Sequence, residues 1–137
     1  MAYICPQPND PAFMPGAILE SRNGLVRHRG IRGRRNPFTG EQPILHSPKD
    51  GAVQYGNEWE FCEGRPIRAI RIPVTPQAGE IAIQRMESIL GLPWTLPSTN
   101  CQHTTNWAAL GVARSEQYEA LIGIAILAVS LFVAGRN

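Results

Sequence analysis

Hydrophobic positions in the first half of the chain come in short runs separated by glycine, proline, asparagine and charged residues. Short runs bounded by turn-forming residues are typical of β-strands. They predict strands at residues 17–21, 25–31, 43–47, 52–54 and 67–72. Arg22, Asn23 and Gly24 separate the first two runs and predict a hairpin turn. Residues 1–14, which hold three prolines, are predicted to form an extended lead-in.

The pattern changes after Pro76, where apolar residues follow the spacing of one broad helix face: Ile81, Ile83, Met86, Ile89 and Leu90. A second helix is predicted over residues 101–110, with an N-cap at Ser98, Thr99 or Asn100 and Gly111 at its end. A third begins at Glu116 after a Ser115 cap. Strands followed by helices predict an α+β fold, in which a small antiparallel sheet packs against helices.

The third helix contains an apolar block, since 13 of the 16 residues from 120 to 135 are hydrophobic. The block spans about 24 Å as a helix, short of the roughly 30 Å hydrocarbon core, although extension from Glu116 to Arg136 nearly closes this difference. The alternative is a buried core helix. Because the remaining chain has few apolar residues with which to cover it, we favour a membrane anchor at residues 116–137. It follows a single domain at residues 15–115.

Arginine dominates the basic residues, with twelve arginines against one lysine. Six of them lie between Glu20 and Glu41 with no acidic residue among them. Such a segment favours contact with phosphate groups, and the alternative is a solvated loop. Beside a membrane anchor, the phosphates would be those of lipid head groups. The candidates for this contact are Arg29, Arg32, Arg34 and Arg35.

The three cysteines, Cys5, Cys62 and Cys101, include no C-x-x-C pair, so we expect neither a disulfide framework nor a metal site, and a reducing compartment fits best. Cys101 falls in the first turn of a predicted helix. Backbone N–H groups there favour a thiolate and can stabilise an oxyanion. Cys5 lies in the proline-rich lead-in, and Cys62 is predicted in a loop between acidic residues that oppose a thiolate.

A thiol nucleophile needs an imidazole that accepts and returns its proton, and a third group that orients the imidazole. His28 and His46 lie on predicted strands that could be neighbours. His103 follows Cys101 by two residues, about 200° around the same helix, so it cannot easily reach the sulfur. The alternative is that His28, His46 and Cys101 are structural residues.

Two motifs near the third helix resemble a known family. Asn-Cys-Gln-His at residues 100–103 and Leu-Gly-Val-Ala-Arg-Ser-Glu-Gln at residues 110–117 are similar to a signature of the lecithin:retinol acyltransferase-like family. Residues 15–20 resemble its entry strand, and residues 25–31 and 44–48 resemble the two halves of its histidine box. The chain departs from the pattern at Gln102 and Thr104, and its two histidines lie farther apart than is usual.

The resemblance implies a permuted NlpC/P60 papain-like fold and a catalytic set of Cys101 as nucleophile, His28 as general base and acid, and His46 as the orienting group. Asn100 and Arg27 are the supporting residues in the two motifs. H-rev107-type members of the family carry an apolar membrane anchor after this motif, where residues 120–135 stand here.

These inferences predict a thiol-dependent phospholipid acyltransferase or phospholipase A that works through a thioester on Cys101. We expect no cofactor, a phospholipid substrate, no nucleic-acid partner, and attachment to the cytoplasmic side of a membrane through the C-terminal helix. Two alternatives remain open: a noncatalytic membrane-associated binding or assembly protein that retains the fold, and a cysteine amidase or peptidase. The acyl acceptor and the oligomeric state are not predicted.

Overall fold

The computed structural model describes residues 10–49, 51–95, 100–111 and 116–136. The fold is α+β, as predicted, with a five-stranded antiparallel sheet in the order β4-β3-β2-β1-β5. The elements are β1 (Ile18–Asn23), β2 (Val26–Arg32), β3 (Ile44–His46), β4 (Gln54–Gly56), α1 (Glu58–Cys62), β5 (Ile67–Arg71), α2 (Pro76–Ser88), α3 (Cys101–Leu110) and α4 (Glu116–Ala134). A 3-10 turn at Pro11–Phe13 precedes them.

The predicted hairpin is confirmed, with its turn slightly later than expected. β1 continues to Asn23, and Gly24 adopts a φ of 61°, a left-handed conformation that glycine accepts without steric cost. In the resulting register Ser21 pairs with His28. β3 then pairs with the far side of β2, with His46 opposite Gly30. The pairing of β2 with β3 therefore brings the two histidine-bearing strands side by side.

Helices cover both faces of the sheet. Ile18, Ile31 and Leu45 point to one face, where they form a core with Ile83 of α2 and Ala108 of α3. On the other face the core includes Leu19 and Ile44 of the sheet and Phe61 of α1. Successive residues of a strand point to opposite faces, which explains this division. The two faces are called here the α2/α3 face and the α1 face.

Helix α1 was not expected, since the polar and aromatic residues 55–64 were predicted only to separate two strands. Asn57 and Glu60 form a capping box, in which each side chain accepts a hydrogen bond from the backbone N–H of the other residue. The prediction that Cys62 lies in a loop is wrong, because Cys62 ends this helix and is fully buried. β4 also begins later than predicted, at Gln54.

Helices α2 and α3 agree with the predicted segments. α2 ends at Ser88, and Thr75 is its N-cap. Asn100 is the N-cap of α3, and Gly111 ends that helix with a φ of 74°. The alternative caps Ser98 and Thr99, the Ser115 cap, Cys5 and the first nine residues of the lead-in lie outside the described residues.

The side chains of α4 are exposed to solvent from residue 119 onward. Every residue from 119 to 136 is exposed, including Ile124, Leu127 and Leu131, which are 66%, 60% and 65% exposed. Burial of this helix in the core is therefore excluded for these residues. Among the helices of the described ranges, none combines the length and apolarity required to cross a membrane.

Candidate active site

His28 and His46 are in direct contact. His28 Nε2 and His46 Nδ1 are 2.9 Å apart and share a hydrogen bond. The rings pack edge to face, with centroids 5.2 Å apart and planes at 69°. His28 thus uses Nε2 for His46, and Nδ1 is its remaining nitrogen for proton transfer. This is the contact expected between a general base and the residue that orients it.

Both histidines lie on the α1 face of the sheet, against Phe61. The Phe61 ring centroid is 4.8 Å from that of His28 and 5.8 Å from that of His46. Burial, together with the smaller effect of the charge of a protonated His46, lowers the pKa of His28 from 6.5 to about 4. Burial also lowers the pKa of His46. Both imidazoles are therefore neutral at pH 7, the state in which His28 can accept a proton.

Cys101 occupies the first turn of α3, where Asn100 caps the helix. The Asn100 side chain accepts hydrogen bonds from the backbone N–H groups of Gln102 and His103, both at 3.0 Å. The cap fixes where the helix begins, and with it the position of the thiol. The Cys101 thiol donates to the carbonyl oxygen of Arg27 at 3.5 Å.

The Arg27 carbonyl is available to the thiol because the β2–β3 ladder reaches only as far as the pair between Gly30 and His46. No residue of β3 pairs with Arg27. Cys101 therefore reaches Arg27 of β2 from the α2/α3 face. The next residue of β2 is His28, whose ring lies on the α1 face. The thiol bonds to the main chain beside His28 and not to its ring. Arg27 thus contacts the thiol through its carbonyl oxygen.

The predicted thiolate at Cys101 is wrong for the resting protein, because burial raises the pKa of the thiol. Backbone N–H groups of Arg29, Cys101 and Gln102 and the charge of Arg29 act in the opposite direction, but they do not overcome burial. The helix terminus thus has the favourable effect that the sequence predicts. The exclusion of water at Cys101, which the sequence does not encode locally, has the larger effect.

Arg29 is buried beside this thiol, with its Nε 3.2 Å from Glu20. Glu20 also pairs with Arg68 at 2.6 Å and Arg22 at 3.2 Å. Burial opposes ionisation of Glu20, but hydrogen bonds from these arginines outweigh it and lower the pKa of its carboxyl. Arg29 is therefore positioned beside Cys101 by a carboxylate, away from the surface where a lipid head group would bind.

The other head-group candidates have different environments. Arg32 is fully buried and bonds to the Ala12 carbonyl at 2.6 Å and to Glu58 at 3.0 Å. Arg34 joins the loop to α2 through ion pairs with Glu80 and Glu87. Arg35 is exposed. Arg32 thus contributes to the fold, whereas Arg34 and Arg35 both stand at the surface, Arg34 with 44% of its side chain exposed.

Two further polar residues stand beside the histidines and were not anticipated. Ser21 lies directly opposite His28 in the β1–β2 ladder, and its buried hydroxyl has no hydrogen-bond partner among the described residues. Glu60 of α1 lies near His46 and acts to raise the pKa of that imidazole. The spacing of Asn57 and Glu60 matches a capping box, a sequence signal that could have located α1 and hence Glu60.

A groove of about 1080 Å³ opens on the α1 side, between residues 34–43 and residues 55–60. Phe13, Phe38 and Tyr55 form part of its walls, and Gly56 and Glu60 line it next to His46. Cys101 and His28 do not line it. The groove therefore approaches the pair of histidines from the side of His46.

His103, which the sequence placed too far around α3 to assist Cys101, is buried. Burial lowers its pKa, although Glu119 of α4 acts in the opposite direction.

Within the described ranges, no group of three or more histidine, cysteine, aspartate or glutamate side chains is arranged to hold a metal ion.

Comparison with known proteins adds no relative. No protein-family model matches this chain, and no curated protein matches it. The family resemblance therefore depends on the motifs at residues 15–48 and 100–117.

Proposed function

We propose that the protein is a thiol-dependent acyltransferase or acyl hydrolase that acts on phospholipids through a thioester on Cys101. The observation that carries this proposal is the 2.9 Å contact between His28 and His46 beside a capped helix start that bears a cysteine. The Cys101 sulfur bonds to the residue that precedes His28. The thiol and the histidine pair thus contact adjacent residues of β2, the thiol at the Arg27 carbonyl and the pair at His28, whose ring lies on the α1 face.

The geometry favours a reaction in two steps. His28 Nδ1 accepts the thiol proton while the sulfur attacks the ester carbonyl carbon of the lipid, and the N–H of Cys101 at the start of α3 stabilises the oxyanion. The C–O bond then breaks, and the leaving alcohol takes the proton from His28. In the second step His28 deprotonates water, an amine or an alcohol, which attacks the thioester and restores the thiol.

Neutral His28 and a protonated thiol are compatible with this scheme. Hydrogen bonds between catalytic groups are commonly long before substrate binds and shorten in the complex. Here the thiol must exchange the Arg27 carbonyl for the ring of the next residue, His28, which requires the ring to turn from the α1 face toward the sulfur. Arg29 and the backbone N–H groups then stabilise the negative sulfur as it forms.

The same proposal includes the finer fold assignment. Two histidines on adjacent strands precede a cysteine at a helix start, an order similar to that of the permuted NlpC/P60 papain-like proteins of the family that the motifs resemble. The two histidine strands, β2 and β3, are adjacent in the sheet, and the cysteine helix α3 packs against them through Ala108, which supports this assignment.

We further propose that α4 attaches the protein to the cytoplasmic face of a membrane, with Arg35 contacting lipid phosphates. The exposure of its apolar side chains from 119 to 134 supports this placement, because water-exposed apolar surface of this extent favours a lipid or protein partner. A surface attachment needs no span of the bilayer.

We expect the triple substitution Ile124→Ser, Leu127→Ser and Leu131→Ser to weaken vesicle binding by about 10-fold or more, since it removes exposed apolar surface. Flotation with neutral and anionic phospholipid vesicles measures this. Arg35→Gln is expected to weaken binding to anionic vesicles alone. Unchanged binding of the triple variant to both kinds of vesicle would contradict the attachment through α4.

A noncatalytic binding or assembly protein is the second candidate. It is favoured by the buried thiol, whose pKa is raised and whose hydrogen bond goes to a main-chain carbonyl. In that case the same residues would stabilise the join between α3 and β2, and no covalent intermediate would form.

Trapping the acyl-enzyme separates these candidates. After incubation with vesicles whose acyl chains carry deuterium and rapid acid quench, we expect a labelled acyl group on the peptide that contains Cys101, released by hydroxylamine as a thioester is. Cys62→Ala serves as a control, because Cys62 is fully buried and should not be acylated. Lipid turnover without any label on Cys101 would refute the mechanism.

A further inference from the structure

We propose that Glu60 is a positioning residue of the site, and that its carboxylate fixes which nitrogen of His46 carries the proton. The inference deepens the proposed function and depends on it for its kinetic consequence. Its structural part concerns the protonation of His46 and holds or fails independently of any activity.

Glu60 and His46 face each other across Gly56. A Cβ placed on Gly56 would lie 2.6 Å from His46 Nε2 and 3.1 Å from Glu60 Oε2, so both atoms border the space that the absent side chain leaves. Any larger residue at this position would push the imidazole or the carboxylate away. The glycine therefore permits the approach of a negative charge to the Nε2 side of His46.

The carboxylate of Glu60 is held in place by the start of α1. Its Oε2 accepts the backbone N–H of Asn57 at 2.7 Å, while the N–H of Glu60 donates to Asn57 Oδ1 at 2.8 Å. The next residue, Phe61, packs against both imidazoles. A short helix thus ties the carboxylate to the histidine pair with little freedom to move.

The groups around His46 leave Glu60 as its acidic neighbour. On β2 the facing group is the His28 ring, on β4 the paired residue is Gln54 and the adjacent one is Gly56, and on α1 the neighbours are Phe61 and Glu60. The only negative charge in this set is that of Glu60. It acts to raise the pKa of His46, against the effect of burial.

A negative charge on the Nε2 side favours the tautomer of His46 with its proton on Nε2. Nδ1 of His46 then carries a lone pair, and His28 must donate its Nε2–H across the 2.9 Å contact. His28 Nδ1 is consequently left with the lone pair that accepts the thiol proton. Glu60 therefore orders the protons of both rings through His46, without contact with the reacting atoms.

The test is the tautomer and pKa of His46, measured by nitrogen-15 NMR of the histidine rings in the full chain. We expect wild-type His46 to carry its proton on Nε2. Glu60→Gln keeps an oxygen that can cap Asn57 but removes the charge, so we expect a lower pKa for His46 and a shift of the proton toward Nδ1.

Glu63→Gln provides the control, since it removes an exposed acid near the end of the same helix and leaves the capping box intact. It should leave the ring nitrogens of His46 close to wild type. A wild-type proton on Nδ1, or a Glu60→Gln spectrum identical to wild type, would overturn the inference.

The kinetic readout follows from the same variants. Glu60→Gln should lower kcat by about 10-fold with little change in KM, as loss of a carboxylate that orients a histidine does at other sites. It should also move the acidic limb of the pH profile, whereas Glu63→Gln should not. An altered NMR spectrum of Glu60→Gln with unchanged kcat would refute the positioning role. Turnover by Cys101→Ala would refute the proposed function, and the NMR result on His46 would still stand.

Discussion

Replacement of Cys101 by alanine is expected to lower phospholipid turnover by a factor on the order of 10⁴ or more, since no thioester can form without the sulfur and the remaining machinery acts only on bound water. The fold should survive, because Cys101 is at the first position of α3 and its cap is the side chain of Asn100. Release of fatty acid and lyso-lipid from mixed phospholipid vesicles measures the effect. Circular dichroism confirms that the variant is folded.

The pH dependence sharpens this prediction. The imidazole of His28 loses its function as a base when it is protonated, so kcat/KM should fall as the pH drops toward its pKa of about 4. The folded pKa of His28 is below the unfolded value of 6.5, so the unfolded chain binds more protons between these values. Stability therefore also decreases as the pH falls from about 6.5 to 4. The assay must stay within the range in which the protein is folded.

Matched variants distinguish loss of the nucleophile from loss of structure. His28→Ala should also abolish turnover, and Cys62→Ala, which removes a buried thiol on α1, should retain it. Full activity of Cys101→Ala would eliminate the thioester mechanism and favour the noncatalytic alternative.

The largest effect on stability is expected for Gly79→Ala in α2. A Cβ on Gly79 would lie 2.3 Å from the carbonyl oxygen of Pro15, which is main chain and cannot rotate away. On the other side of this contact, a Cβ on Gly16 would meet the Cα of Gly79 at 2.2 Å. We expect the helix to be forced off the sheet, at a cost of about 3 kcal/mol or more in the free energy of unfolding. Urea denaturation measures this.

Gly123→Ala is the matched control, since Gly123 is also inside a helix but has no atom within 4 Å of the position of a Cβ. Alanine there should be neutral or stabilise α4 by roughly 0.5–1 kcal/mol, because glycine has the lower helix propensity. Equal stability of the Gly79→Ala and wild-type proteins would show that α2 does not approach Pro15 as closely as described.

The elements whose signals are local were predicted well. Asn100 before the run at residues 101–110 and Gly111 after it defined α3, and the turn signal around Gly24 defined the hairpin that aligns β1 with β2. The periodicity after Pro76 located α2. In each case a cap, a turn residue or a spacing within a few positions encodes the boundary, and the tertiary structure did not override it.

Helix α1 was missed because its apolar signal is short. Only Phe61 and Cys62 are buried in it, and it becomes stable through the capping box and the contact of Phe61 with the histidines. Those contacts join residues 28, 46 and 61, which are distant in sequence. The environment of Glu60 could therefore not be inferred before the strands were aligned.

The sequence by itself determined the α+β class and the position of Cys101 at a helix start, and it placed the two histidines on strands that could be neighbours. Only the tertiary structure decided that these strands pair, that the thiol is partly buried beside Arg29 and that Arg32 is buried within the fold. The reason is physical: strand, cap and turn preferences act between near neighbours, whereas solvation and charge depend on every group that packs around an atom. The pKa of the Cys101 thiol shows the difference. The helix terminus lowers this pKa, and burial by distant parts of the chain has the larger effect and raises it.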